Sequence, residues 1–145
     1  MADRRAETTW EGDLVHGKGV TSVGSGAFGP VNVSWAARTE RSDGKTSPEE
    51  LIAAAHASCY CMALSHELTQ KGLPPTRLNA SAVVTIDRVD GGMKVTTSKL
   101  NVRGVVPGAN QQSFSEAATA ASKGCPISRA LAGVEIVLES AVLEP

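Results

Sequence analysis

The run LIAAAHASCYCMAL (51–64), entered through Ser47-Pro48-Glu49-Glu50, constrains the fold more than any other stretch of the chain. Ser47 suits a helix N-cap, Pro48 the first helical position and Glu50 the third position of a capping box. Gly72 and then Pro74-Pro75 stop the pattern, so the spacing predicts one long helix from Pro48 to about Lys71. Between Leu51 and Leu64 it is apolar on nearly every side, which calls for burial all round. In a chain of 145 residues such a helix is more easily satisfied if a second copy covers part of it, so a homodimer is expected.

The segment is not a membrane span. His56, His66, Glu67 and three hydroxyl side chains interrupt it, and no run reaches the ~18–20 apolar residues a span requires. The N-terminal MADRRAETTWEG lacks the apolar stretch of a secretory signal. Three cysteines, an odd count, fit free thiols in a reducing cytoplasm better than a disulfide framework. With 14 basic and 15 acidic residues there is no cationic excess for nucleic acid or an anionic membrane surface. The expectation is a soluble, cytoplasmic, single-domain protein spanning 1–145.

Before the helix, the β-prone pieces TTWEGDLV, KGVTSVGSG and VNVSWAAR are separated by glycines and Pro30, the pattern of an antiparallel meander with no helix. After it come LNASAVVTIDRV and GMKVTTSKLNVRGVV, joined at Asp90-Gly91-Gly92, a strong hairpin signal. NQQSFSEAATAASKG reads as a second helix, PISRAL as a short third and VEIVLESAVL as a last strand. Runs of strands with helices between the runs give an α+β class.

The chemistry-bearing residues are the thiols. Cys59 and Cys61 are two residues apart on a helix, about 200° around its axis, so they face opposite ways and act as separate thiols. His56 shares a face with Cys59. It is either a packed, hydrogen-bonded histidine or the base of a Cys–His nucleophile. A zinc site from Cys59, Cys125 and a histidine lacks the paired close spacings of structural zinc. Gly124 ends one helix and Pro126 opens the next, making Cys125 an N-cap; its sulfur is either favoured as a thiolate there or buried and inert. Desolvation would silence Cys59 unless a cation stands near it. The candidates are Arg38, at the end of a predicted strand, and Arg41 and Lys45, in a polar connection where solvation is the default. An arginine is the better choice because it stays charged when buried.

GKTSPEELIAAAHASCYCMAL, KGCPISRAL and the N-terminal WEGDL…GKG closely resemble the OsmC/Ohr family of thiol-dependent hydroperoxide reductases, and the likeness runs from about Thr9 to the last strand. The chain resembles the osmotically inducible protein C (OsmC) branch: the other branch carries its key arginine in the first hairpin, where Lys18 stands here, whereas the matching arginine is Arg38. The resemblance implies an OsmC-like fold, antiparallel β-sheets around a long central helix in an intertwined homodimer with sites at the subunit interface. It implies Cys59 as peroxidatic cysteine, Cys125 as resolving cysteine, Arg38 as activator of the thiolate and peroxide, and Glu49 as its holder. It implies organic hydroperoxides, or hydrogen peroxide, as substrate. A dithiol, of lipoyl type in the family, is the implied reductant, and no metal or cofactor is implied.

Glu50 is used by the capping box, which leaves Glu49 for function. Glu49 and Cys59 are ten residues apart, roughly 15 Å of helix rise, so each site is expected to join Cys59 of one chain to Glu49 of its partner. Cys61 departs from the family pattern and is expected to pack. With only five aromatic residues, the substrate pocket is expected to be aliphatic. A thiol sensor or ligand-binding dimer would use the same cysteines.

Overall fold

The computed structural model describes residues 1–145, which fall into two compact units, Met1–Leu51 and Ile52–Pro145. In the first unit β1 (Ala6–Glu11), β2 (Lys18–Val23) and β3 (Val31–Val33) form an antiparallel sheet in that order, the meander read from the sequence. The third strand is shorter than expected. Ser34 breaks it by capping a helical turn, its hydroxyl accepting from the Ala37 amide at 3.1 Å, and α1 (Trp35–Thr39) follows. Arg38 therefore sits on a helix and not at a strand end. The cap and the helix-favouring Ala36-Ala37-Arg38 outweigh the β preference of Val33 and Trp35.

The long helix, α2, covers Pro48–Gln70, and the boundary between the units lies within it. Its N-cap is half a capping box. The Ser47 hydroxyl accepts from the Glu50 amide at 3.1 Å, while the Glu50 carboxylate takes the Thr46 hydroxyl at 2.9 Å. Within one chain the burial is one-sided: His56, Tyr60, Leu64 and Leu68 form the buried stripe, whereas Ala54, Ala55, Ser58, Met62 and His66 are exposed on the opposite side. A four-residue repeat keeps one face inward, and one sheet can cover only that face.

In the second unit β4 (Arg77–Val89) and β5 (Gly92–Val105) form a long antiparallel hairpin. Asp90 and Gly91 both take positive φ at its turn, the geometry that matches the twist of the strands. α3 (Gln111–Gly124) and α4 (Pro126–Ala130) follow, and β6 (Glu135–Leu143) then pairs with β5 in parallel. The all-antiparallel expectation fails at this edge because the two helices carry the chain back before the last strand begins.

Tyr60, Leu64 and Leu68 of α2 pack with Leu100 and Val102 of β5 and with Phe114 and Ala117 of α3. The Tyr60 hydroxyl, fully buried, donates to the Ala118 carbonyl at 3.0 Å. Gly104 is required for this packing: a Cβ there would come within 2.6 Å of the Phe114 ring and 2.9 Å of Leu78 Cδ2. No helix is long and apolar enough to cross a membrane.

Candidate active site

The expected site residues come as two pairs, one in each unit. In the second unit α2 presents Cys59, and the junction between α3 and α4 presents Cys125. Cys125 is the N-cap of α4 with Pro126 at the first helical position, and it is fully buried. Ala121 accepts its amide at 3.0 Å, so the same residue closes α3 and opens α4. The Cys59 thiol, half-buried, has the Cys125 side chain and the Ile127 backbone as neighbours. Burial pushes the Cys59 thiol above its ordinary value and the Cys125 side chain pushes it further, while the Ile127 backbone pulls it down.

His56, one turn before Cys59, is not its base. The ring is buried, and both nitrogens are committed, Nδ1 to Ser98 Oγ of β5 and Nε2 to Ser128 Oγ of α4, each at 2.7 Å. Burial holds it below the ordinary imidazole range, in the neutral form. The packed-histidine reading holds, and a ring with both nitrogens engaged has none left for zinc.

Cys61 faces another element, as the 200° offset requires. The Ala80 backbone of β4 meets it, and it lies in a shallow pocket with Pro75, Arg77 and Leu78. Burial raises its thiol, with the Ala80 backbone opposing.

In the first unit Arg38 of α1 clasps Glu49 in the first turn of α2. Nε reaches Oε1 at 3.0 Å and Oε2 at 3.2 Å, and Nη2 reaches Oε1 at 2.8 Å. Glu49 is only 6 % exposed, and a carboxylate so enclosed needs such a fork. Nη1 carries no protein bond, and the guanidinium carbon stands 5.9 Å from the Trp35 ring centroid. Of the two adjacent glutamates, the structure gives Arg38 to Glu49 and Thr46 to Glu50, the division the capping argument made.

Beside Arg38 lies a pocket of about 390 Å³, walled mainly by Trp10, Leu14, Val33, Trp35 and Pro48. Both tryptophans of the chain line this pocket, which is thus more aromatic than the aliphatic substrate pocket expected from composition. Composition counts aromatic residues but cannot locate them.

A family model, that of the OsmC-like proteins, matches residues 41–139. The chain is also 39% identical to the peroxiredoxin OsmC of Escherichia coli over 136 residues, 94% of each chain. It belongs to the OsmC-like family. The organic hydroperoxide resistance protein OhrB of Bacillus subtilis is 30% identical over 97 residues, 65% of this chain and 68% of that one. Among solved structures, an organic hydroperoxide resistance protein from Elizabethkingia anophelis superposes with a TM-score of 0.74 at 21% identity, covering 95% of this chain and 96% of that one. That likeness speaks for the OsmC-like fold. The cysteine pair and the arginine–glutamate pair lie inside or beside the matched segment, with Arg38 three positions before it.

Proposed function

We propose that this OsmC-like protein is a cysteine-based peroxidase that reduces organic hydroperoxides, and hydrogen peroxide, in cytoplasmic stress defence, with residues 1–145 acting as one domain. The carrying observation is the meeting of Cys59 and Cys125, separated by 66 positions in sequence and neighbours in the fold. Relatives named peroxiredoxin OsmC and organic hydroperoxide resistance protein support it.

The chemistry follows from the pair. The Cys59 thiolate attacks the distal peroxide oxygen, the O–O bond breaks, and the alkoxide leaves as alcohol after taking a proton. Cys59 is then a sulfenic acid. Cys125 attacks its sulfur, the S–O bond breaks, and water departs as the disulfide forms, which stops oxidation short of sulfinic acid. A small dithiol, of lipoyl type in our reading, restores both thiols by exchange.

Cys59 needs a cation, because burial and Cys125 both disfavour its thiolate. Arg38, held by Glu49, is the cation we assign, supplied by a second copy of the chain. Ten residues of helix separate Glu49 from Cys59, about 15 Å, which is too far for one guanidinium to touch both. The exposed stripe Ala54, Ala55, Ser58 and Met62 on α2, with Met62 68 % exposed, is the face a second copy would cover. The pocket beside Arg38 then receives the alkyl or aryl group of the peroxide between Trp10 and Trp35.

The test is steady-state consumption of cumene hydroperoxide and hydrogen peroxide with excess dithiothreitol. Multiple turnovers that vanish in Cys59→Ser are expected; one equivalent followed by silence would instead mean a sensor. A mixed dimer of one Cys59→Ser chain and one Glu49→Ala chain keeps one intact site under cross-chain assembly, and so about half the parent activity. Two impaired sites would place Arg38 and Cys59 in the same chain.

A further inference from the structure

Three cavities outside the site, the exposed Arg77–Glu144–Arg103 cluster and the Cys61 pocket are open surface features without an enclosed polar group directed at a ligand. The buried group that the peroxidase chemistry leaves unused is His56. Its imidazole joins two elements of the second unit that are far apart in sequence: Ser98, in the middle of β5, and Ser128, the third residue of α4. Both serines are buried, and neither hydroxyl has another side-chain or backbone partner.

Position makes the two bonds unequal. Within four residues α4 and its cap supply Cys125, the Ile127 backbone beside the Cys59 thiol, and Ser128 on the imidazole. The α2 turn that faces them carries His56 and Cys59, three residues apart on one face. A helix of five residues has little hold of its own, so its register against α2 depends on side-chain ties. The Ser98 bond anchors the other side of the ring to the sheet and touches nothing that carries a thiol.

We propose that His56 is a positioning residue for disulfide formation: through Ser128 it fixes α4 so that the Cys125 sulfur stands in line with the Cys59 S–O bond. The inference rests on the peroxidase reading above. The step it governs is the condensation of Cys59–SOH with Cys125–SH, in which the S–S bond forms, the S–O bond breaks, and hydroxide leaves with the Cys125 proton as water. The first step, attack of Cys59 on peroxide, does not need Cys125 and is not governed this way.

The neutral imidazole fits this task. One nitrogen donates and the other accepts, and the two serine hydroxyls can take either complementary role. The ring is thereby held at both ends without a charge in the core. Losing the α4 end lets the cap shift, and displacements near an ångström are enough to slow a step between two oriented groups by up to about a hundredfold.

The paired hydroxyl deletions Ser128→Ala and Ser98→Ala test the inference. Each removes one 2.7 Å bond from the same ring and strands one nitrogen, so a merely structural role predicts similar effects. Rapid-quench mass spectrometry, after one equivalent of cumene hydroperoxide, follows sulfenic acid, disulfide and sulfinic acid separately. The expected result for Ser128→Ala is disulfide formation slowed roughly tenfold, sulfinic acid accumulating, and sulfenic acid formation within about twofold of the parent. Ser98→Ala is expected within about twofold of the parent in all three.

Equal slowing of the disulfide step in both variants, or no slowing in either, overturns the inference. Should Ser128→Ala fail to fold, His56→Gln and His56→Asn give the same contrast. Glutamine places its amide near the Nε2 position and keeps the Ser128 tie, while asparagine places its amide near Nδ1 and keeps only Ser98. Rescue of the disulfide rate by glutamine but not asparagine supports the assignment, and the reverse order sinks it. A parent protein that forms no disulfide at all fails the peroxidase reading itself, a result visible before any variant is compared.

Discussion

Arg38 holds Glu49 through two nitrogens at once, Nε and Nη2, with the shortest contact at 2.8 Å. The carboxylate is almost enclosed while the guanidinium remains about a third exposed, and its Nη1 is uncommitted. The guanidinium is therefore a cation held in place with one face left over. That is the arrangement needed to hold a positive charge still beside something else.

Lysine cannot reproduce the fork. Arg38→Lys is expected to lower kcat/KM with cumene hydroperoxide roughly ten- to hundredfold, about 1.4–2.7 kcal/mol in the transition state. Arg38→Ala strands a buried carboxylate and should destabilise the fold by about 1–3 kcal/mol. Urea unfolding of Arg38→Ala, Glu49→Ala and the double variant checks it: the double variant should lose less than the sum of the two. Additive losses would mean the pair is not coupled.

Cys61 packs against β4, away from Cys59. Cys61→Ala should keep turnover within about twofold of the parent and cost roughly 1 kcal/mol of stability, the loss of one small half-buried group. A fall in turnover comparable to that of Cys125→Ser would give Cys61 a redox part.

His56 makes stability depend on pH in a definite direction. Burial depresses its folded-state pKa below the ordinary 6.5. The unfolded chain therefore takes up a proton first as the pH falls. Stability from this residue is fully present above 6.5 and is lost as the pH falls through the folded value. Urea midpoints measured between pH 7.5 and 5 should drop more steeply for the parent than for His56→Gln, which has nothing to titrate there. Parallel curves would contradict the assignment of a neutral, buried ring.

Gly104 lies under the Phe114 ring. Gly104→Ala forces a methyl into space already taken by Phe114 and Leu78 and should cost about 1–3 kcal/mol, read from the shift in the urea midpoint. The smaller partner Gly104→Ala/Phe114→Leu should recover part of that loss, because leucine vacates the ring's far edge.

Much was decided locally and so could be read locally. Ser47-Pro48 starts α2 and Gly72 ends it because capping chemistry acts over three or four residues. Asp90-Gly91 makes the hairpin because both positions must take positive φ. Cys125 stands as an N-cap because Gly124 and Pro126 flank it, and Cys59 and Cys61 part company because a helix turns by about 100° per residue. Even the choice of Glu49 over Glu50 follows from which carboxylate the helix start employs. The tertiary structure decided what depends on partners distant in sequence. Ser98 and Ser128 lie 42 and 72 positions from His56, and nothing local marks either serine as its partner. The parallel pairing of β6 follows from where α3 and α4 return the chain, and the gathering of Trp10 and Trp35 beside Arg38 follows from the packing of β1 and α1. Capping, turn and periodicity signals are short-range and survive in a string of letters, whereas burial and pairing are set only when segments far apart along the chain compete for the same water-excluded space.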